Sequence, residues 1–501
     1  MAMIDNLGGF LHGLALAATA KNLLFALVGS MVGTLIGVLP GIGPLATISM
    51  LMSFTITTDP LASLIMLAAI YYGAQYGGST TAILCNLPGE ATSVVTTLDG
   101  YEMARQGRAG PALATAALSS LLAGVFATFV IVFFAPPLAT VALKFNAPEY
   151  FLLMFLGLLA SIVFSHGSVF NACAMGLLGV LLGLVGTDVE TGTQRYAFGI
   201  QEFSDGLDIV PFGMALFGLC EIIFNLSNPM ARSVVVGKVR GVMISLADLK
   251  QGWAAALRGT VIGSALGILP GGGALLSPFA SYMVEKKWAK DPSRFGKGAI
   301  EGVAGPEAAN NASAQTSFIP LLTLGIPTNP VIALMLGAML IQGIQPGPEV
   351  IVKRPDLFWG LIASMLIGNA MLVVINLPLV GIWVRLLKVP YSILFPAIIV
   401  FCCIGAYSLN STPVNLLLMG AVSVIGVVLI ALDFQMIPLL LGFVLGPLAE
   451  ENLRRAMVLS RGDPMIFVER PVSLALLVSI VALVVLVALP SFQKGKGAFV
   501  E

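Results

Sequence analysis

The sequence is poor in charge. Of 501 residues, 25 are Lys or Arg and 25 are Asp or Glu, so 10% is charged and the formal net charge is zero. Soluble domains carry about 25% charged residues, which excludes an ordinary soluble fold. The even balance leaves no basic surface, so a nucleic-acid partner is excluded as well. His12 and His166 are the two histidines, too few for a haem or a histidine-built metal centre. The five cysteines, Cys85, Cys173, Cys220, Cys402 and Cys403, lie in apolar stretches without Cys-x-x-Cys spacing. They read as small core residues rather than disulfide partners or metal ligands. No P-loop, His-Glu-x-x-His or Gly-x-Ser-x-Gly element occurs, so neither ATP hydrolysis nor an intramembrane enzyme is expected. No basic residue precedes the apolar 7–20 segment, so an interfacial helix or first anchor is expected there rather than a cleaved signal.

Apolar residues fill the place of charge: 57% of the chain is hydrophobic and mean hydropathy is +0.97. Runs of 18 or more apolar residues recur, and the alternating short segments of a β-barrel are absent. The expected fold is an all-α polytopic membrane protein of about twelve transmembrane helices. Ordinary spans are expected at 111–136, 149–165, 168–186, 209–225, 357–384, 393–409, 414–432, 435–448 and 472–489.

One pattern occurs twice. Gly29, Gly33, Gly37, Pro40, Gly41 and Gly43 are answered 230 positions later by Gly259, Gly263, Gly267, Pro270, Gly271 and Gly273. Ser30 and Thr34 are answered by Thr260 and Ser264. Glycines held in register at one offset indicate a duplicated architecture. The chain divides into a first transmembrane repeat, 1–228, a polar connector, 229–257, and a second repeat, 258–501. Lys and Arg cluster in the connector and at 286–297, whereas the 55–60 loop has none. That asymmetry places the connector in the cytoplasm and favours copies of opposite topology.

Each repeat contains two broken helices, at 40–43 and 86–89 in the first and at 270–273 and 325–330 in the second. Proline removes a backbone donor and glycine admits unusual conformations, so these segments free backbone groups at membrane depth. Such groups are tolerated only when buried in protein or facing a water-filled cavity. A helix restarting after a break offers N–H groups to an anion, and the opened carbonyls suit a small cation. The candidate substrate residues are Gly41, Gly43, Ser79, Thr80, Asn86 and Gly89 with Gly271, Gly272, Gly273, Asn311, Ser313, Thr328 and Asn329. Backbone carbonyls near Pro40, Pro88, Pro270 and Pro327 are the candidates for Na⁺. With almost no Arg or Lys in the apolar segments, hydroxyls, amides and helix N-termini would hold carboxylates while a bound cation offsets their charge. The expectation is an anion carrier coupled to a cation.

Other readings stand beside these. The stripes Gly29/Gly33/Gly37 and Gly259/Gly263/Gly267 fit close helix packing better than ligand contact. Glu221 and Asp433 are intramembrane acids by position, yet both sit near expected span ends, where solvation suffices. His166 reads as structural, and the 450–455 segment as an ion-pair cluster at a helix end. A passive anion channel or a non-transporting membrane scaffold would use the same broken helices.

Several longer motifs carry a family resemblance. They are Gly-Val-Leu-Pro40-Gly-Ile-Gly43, Tyr-Gly77-Gly-Ser-Thr-Thr81, Asn-Leu-Pro88-Gly-Glu, Asp99-Gly-Tyr-Glu-Met-Ala-Arg-Gln-Gly-Arg108, Pro306-Glu-Ala-Ala-Asn-Asn311, Pro320-Leu-Leu-Thr-Leu-Gly-Ile-Pro327 and Gly446-Pro-Leu-Ala-Glu-Glu-Asn-Leu-Arg-Arg455. Over about residues 20–470 the chain resembles the large membrane subunit (TctA type) of bacterial tripartite tricarboxylate transporters. The resemblance implies a multi-pass inner-membrane protein working with a small membrane subunit of about four spans and a periplasmic solute-binding protein. It implies import of citrate or related carboxylates, a Na⁺ or proton gradient as driving force, and an elevator-type movement as in the ion-transporter superfamily. Thr328-Asn329-Pro330 and Glu90 depart from the family pattern where a carboxylate would be read.

Overall fold

The structure, a computed structural model, describes residues 2–39, 43–55, 57–165, 168–188, 190–220, 222–223, 241–242, 244–270, 273–386, 391–410 and 412–488. Among these, regular structure is helical apart from one small hairpin, in which Gly186–Thr187 pairs antiparallel with Gln194–Arg195. Five described helices are long and apolar enough to cross a membrane: Ala20–Val38, Ala109–Ala142, Pro355–Asn376, Pro413–Ala431 and Met436–Leu459. Shorter apolar helices accompany them, among them Pro44–Thr55, Ala147–Val163 and Pro330–Ile341. Helices satisfy their own backbone groups, which is what the hydrocarbon region demands. The chain is a helical, multi-pass membrane protein.

Several boundaries differ from the sequence reading. The span expected at 111–136 is one helix of 34 residues that continues through Pro136 and Pro137 to Ala142. Proline does not stop it because neighbouring helices at membrane depth hold a kinked helix in place. The span expected to end at 448 continues to Leu459, so the 450–455 cluster lies in a helix body rather than at its end. Asp433 occupies a left-handed turn (φ 63°) between two helices, as a residue at a span end would. Glu221 and His166 lie outside the described residues, as does most of the 229–245 stretch. From Ser245 the connector turns helical: its side chain accepts the Asp248 N–H at 3.0 Å and starts the Leu246–Gly267 helix. The N-terminal Ala2–Ala17 helix lies against Pro355–Asn376, with Gly9 and Gly13 leaving room for Trp359.

The glycine stripes are packing surfaces. Ala20–Val38 lies on the Pro60–Cys85 helix, and Cβ atoms on Gly29, Gly33 and Gly37 would strike the carbonyl oxygens of Met66, Ile70 and Ala74. Leu246–Gly267 lies in the same way on Glu301–Thr316, where Gly259, Gly263 and Gly267 face the carbonyls of Gly305, Ala309 and Ser313. Partners 66 and 305, 70 and 309, and 74 and 313 are each 239 positions apart. Only glycine admits so close a backbone approach. The two seams leave the Pro60–Cys85 and Glu301–Thr316 helices almost wholly enclosed, and the polar residues they carry form the site.

Candidate functional site

Glu301–Thr316 is the most unusual helix in the chain. Every residue from Gly302 to Thr316 is buried, yet the stretch holds Glu307, Asn310, Asn311, Ser313, Gln315 and Thr316. Buried polar groups survive when hydrogen-bonded, so their partners define the site. Glu307 is 0% exposed. It accepts the Ser79 hydroxyl at 2.6 Å and the Thr96 hydroxyl, both from the first half of the chain. Asn311 donates to Ser120 Oγ at 2.6 Å and to the Glu307 carbonyl at 3.2 Å. Ser313 accepts from Ser277 at 2.8 Å and donates to the Asn310 carbonyl at 2.8 Å.

Two helix breaks lie against the enclosed helices, each bonded to the one from the other half. Pro60–Cys85 ends at Asn86 in the left-handed region (φ 57°, ψ 28°), and Phe318–Leu324 ends at Gly325 in the same conformation (φ 72°, ψ 25°). Four residues after each left-handed residue comes an extended N-cap: Glu90 (φ −148°, ψ 166°) and Asn329 (φ −151°, ψ 169°). Each break is also bonded across the halves. Asn310 donates to Glu90 at 3.3 Å, and Asn329 donates to the Tyr71 hydroxyl at 3.4 Å. Positions 71 and 310, 86 and 325, and 90 and 329 are again 239 apart. The two contacts therefore exchange under one pairing of positions.

The candidates from sequence fall into three groups. Ser79, Asn311, Ser313 and Asn329 join this network, as above. Thr328 is buried with its hydroxyl unpartnered, whereas Thr80 is buried with a 3.4 Å contact to the Tyr76 carbonyl of its own helix. Gly89, Gly43 and Gly273 contribute backbone only. Gly89 is wedged so closely against Gly37 and Gly78 that packing explains it, and Gly273 opens the Gly273–Trp288 helix. Asn86 is exposed, and its value lies in tolerating the left-handed conformation. Pro40, Gly41, Gly271 and Gly272 lie outside the described residues.

Helix restarts differ in what they offer an anion. After Pro327, Asn329 caps its own helix by accepting the Ile332 N–H at 3.0 Å. After Pro88 the cap is Glu90, which also accepts the Thr92 hydroxyl. A carboxylate already stands at that helix start, so a second anion there would meet like charge. The second-half break is the better anion seat.

Residues that sequence reasoning passed over include Glu307, Tyr71 and Asp99. Asp99 is 0% exposed. Its Oδ1 accepts the N–H groups of Gly296, Gly298 and Ala299 at 2.9, 2.8 and 2.8 Å, and its Oδ2 accepts the Tyr282 hydroxyl at 2.9 Å. A first-half carboxylate thus stands at the N-terminal end of the Glu301–Thr316 helix, where it complements the helix dipole. The signal for Glu307 was present: an acid within a run of small residues that leads into a helix break of a membrane protein is a functional candidate.

Comparison with known proteins agrees with this reading. A profile of the Tripartite tricarboxylate transporter TctA family matches residues 23–441. An uncharacterized 52.8 kDa protein in the TAR-I ttuC' 3' region of Agrobacterium vitis is 55% identical over 500 residues, covering 100% of both chains. An uncharacterized protein in the TAR-II ttuC' 3' region of the same organism is 58% identical over 240 residues, 48% of this chain and 99% of its own. No solved structure matches. The family serves tripartite systems, in which the large subunit works with further subunits. With the matched segment containing both glycine seams and both left-handed breaks, the chain belongs to the tripartite tricarboxylate transporter TctA family.

Proposed function

We propose that the chain is the large transport subunit of a binding-protein-dependent secondary active importer in a bacterial inner membrane. It takes up citrate or related di- and tricarboxylates, driven by a Na⁺ or proton gradient. The observation that carries the reading is the pair of left-handed breaks, each bonded to an enclosed helix of the other half, Glu90 by Asn310 and Asn329 to Tyr71. Broken helices meeting at depth between two halves are the architecture of secondary transporters. The substrate carboxylates rest at the second-half break, on Thr328, Asn329 and the start of Pro330–Ile341, with the helix starts after Pro40 and Pro270 completing the seat. Backbone carbonyls near Pro40, Pro88, Pro270 and Pro327 are available to Na⁺. The 239-residue correspondences support two inverted repeats within a bundle of about twelve spans, and transport follows by movement of the enclosed helices as an elevator. Its partners are a small membrane subunit of about four spans and a periplasmic solute-binding protein.

The test is uptake of labelled citrate into proteoliposomes holding this chain and the small subunit, with the binding protein outside. Concentrative uptake that collapses with the Na⁺ or proton gradient supports the importer. Downhill flux alone would replace it with a channel, and no entry of any carboxylate held by the binding protein would leave a scaffold. Asn329→Ala and Asn86→Ala lower uptake while leaving membrane insertion intact; native uptake in both removes them from the site.

A further inference from the structure

Fourteen ion pairs link the acids and bases of the described residues, and neither Glu307 nor Glu90 belongs to any of them. Their polar partners are neutral: Ser79 and Thr96 on Glu307, Thr92 and Asn310 on Glu90. Glu307 is fully buried, whereas Glu90 is half-buried beside the first break. A carboxylate enclosed without a counter-ion is costly as an anion and is relieved by taking up a positive charge. Two further observations indicate where that charge sits. Asn310, one helical turn from Glu307, spends its side-chain amide N–H on Glu90 and leaves its side-chain oxygen Oδ1 buried and unpartnered. A small cavity of about 10 Å³, room for a single water, opens beside the Glu307 partner Ser79. Asn376 lines that cavity and leaves its side-chain oxygen Oδ1 unpartnered as well.

We propose that Glu307, with Glu90 and the free Asn310 oxygen beside it, is the binding site of the coupling cation, a proton or Na⁺. The assignment rests on the importer reading and adds to it the residues that carry the coupling charge. Glu90, at the open end, is the entry side, and Ser79 orients the inner carboxylate. The division of labour follows from the chemistry: the acidic first-half break takes the cation and the amide-capped second-half break takes the anion. Tyr71 and Tyr76 are the titratable groups facing the pair. Asp99, Tyr282, Glu285 and Arg258 lie on the elements packed around Glu301–Thr316, and each has its own partner.

The experiment is thermal unfolding of the purified full chain in detergent, which reads cation binding without any substrate. One arm exchanges choline for Na⁺ at constant ionic strength and pH. The other lowers pH from 8.5 to 5.5 in choline. A ligand that binds only the folded state stabilises it by mass action, so the native midpoint rises on the order of 2 °C per hundredfold rise in cation. The arm that responds identifies the cation. Glu307→Gln abolishes the response, and Ser79→Ala moves it about tenfold: to lower proton concentration if the cation is a proton, because the lost hydroxyl had favoured the ionised carboxylate, and to higher Na⁺ concentration if it is Na⁺, because the carboxylate is no longer oriented. A native protein indifferent to both cations overturns the site. So does a full native response in Glu307→Gln or, should that variant not fold, in Ser79→Ala. Either result leaves the importer reading to be judged on uptake alone.

Discussion

Asp99 offers the sharpest check on how the two halves are joined. Its carboxylate accepts three backbone N–H groups and one tyrosine hydroxyl, all from residues 282–299, at 2.8–2.9 Å and out of contact with solvent. Asp99→Ala removes the partner of four donors, of which the Ala299 N–H and the Tyr282 hydroxyl are buried and left unpaired. At about 1–3 kcal/mol for each of these two, the loss is about 2–6 kcal/mol, a large part of the 5–15 kcal/mol that holds a typical protein folded. Asp99→Asn keeps one oxygen for the three N–H groups and turns its amide toward the Tyr282 oxygen. It loses charge assistance and the acceptor of the Tyr282 hydroxyl proton, about 1–3 kcal/mol together. Tyr282→Phe removes one donor and costs about 1–2 kcal/mol. The assay is reversible unfolding in mixed micelles of the three single variants and the Asp99→Ala/Tyr282→Phe double variant. The cycle should return a coupling of about 1–2 kcal/mol, because the two groups touch. A loss below about 1 kcal/mol in Asp99→Ala, or a larger loss in Asp99→Asn than in Asp99→Ala, would refute the clamp.

Two further predictions concern packing and pH. Gly33→Ala and Gly263→Ala force a methyl onto a facing carbonyl, at Ile70 and Ala309, and each should cost about 1–3 kcal/mol in the same unfolding assay. Gly368→Ala, where a Cβ meets nothing within 4 Å, should be neutral or slightly stabilising, and equal effects at all three positions would count against the seams. In the 186–195 hairpin, hydrogen bonds from Thr191 and the Glu190 N–H, with Arg454 and Arg195 alongside, hold the Asp188 carboxyl below its ordinary range. A depressed carboxyl contributes stability that is complete above its unfolded value, about pH 4, and lost as pH falls through its lower folded value. Arg454→Met should therefore raise the pH of acid unfolding while leaving the shape of the pH profile above pH 5 unchanged; an unshifted acid limb would refute the assignment.

Much of the frame was legible in the residues because the signals are local. A proline with a glycine close beside it stops a helix at these breaks, and a glycine every fourth residue makes a smooth face on any helix. Hence the seams at Gly33 and Gly263 and the breaks after Cys85 and Leu324 follow from short stretches read alone. The same local reasoning failed at helix ends. Pro136 and Pro137 were read as a boundary because the rule describes helices without neighbours to hold a kink. The 450–455 cluster was placed at a helix end, yet its charges serve the distant hairpin, with Arg195 bridging Asp188 and Glu450 at 2.6 and 2.8 Å.

The sequence by itself determined the solvent this protein folds in, the places where its helices stop and the faces on which they meet. Each depends on composition or on neighbours within a turn or two. Only the tertiary structure decided which polar residues work together. Glu307 finds Ser79 across 228 positions, Asn329 finds Tyr71 across 258, and Asp99 reaches the turn before Glu301–Thr316 across 200. A hydrogen bond is satisfied within about 3 Å, and proximity on that scale between distant segments is set by how the helices pack.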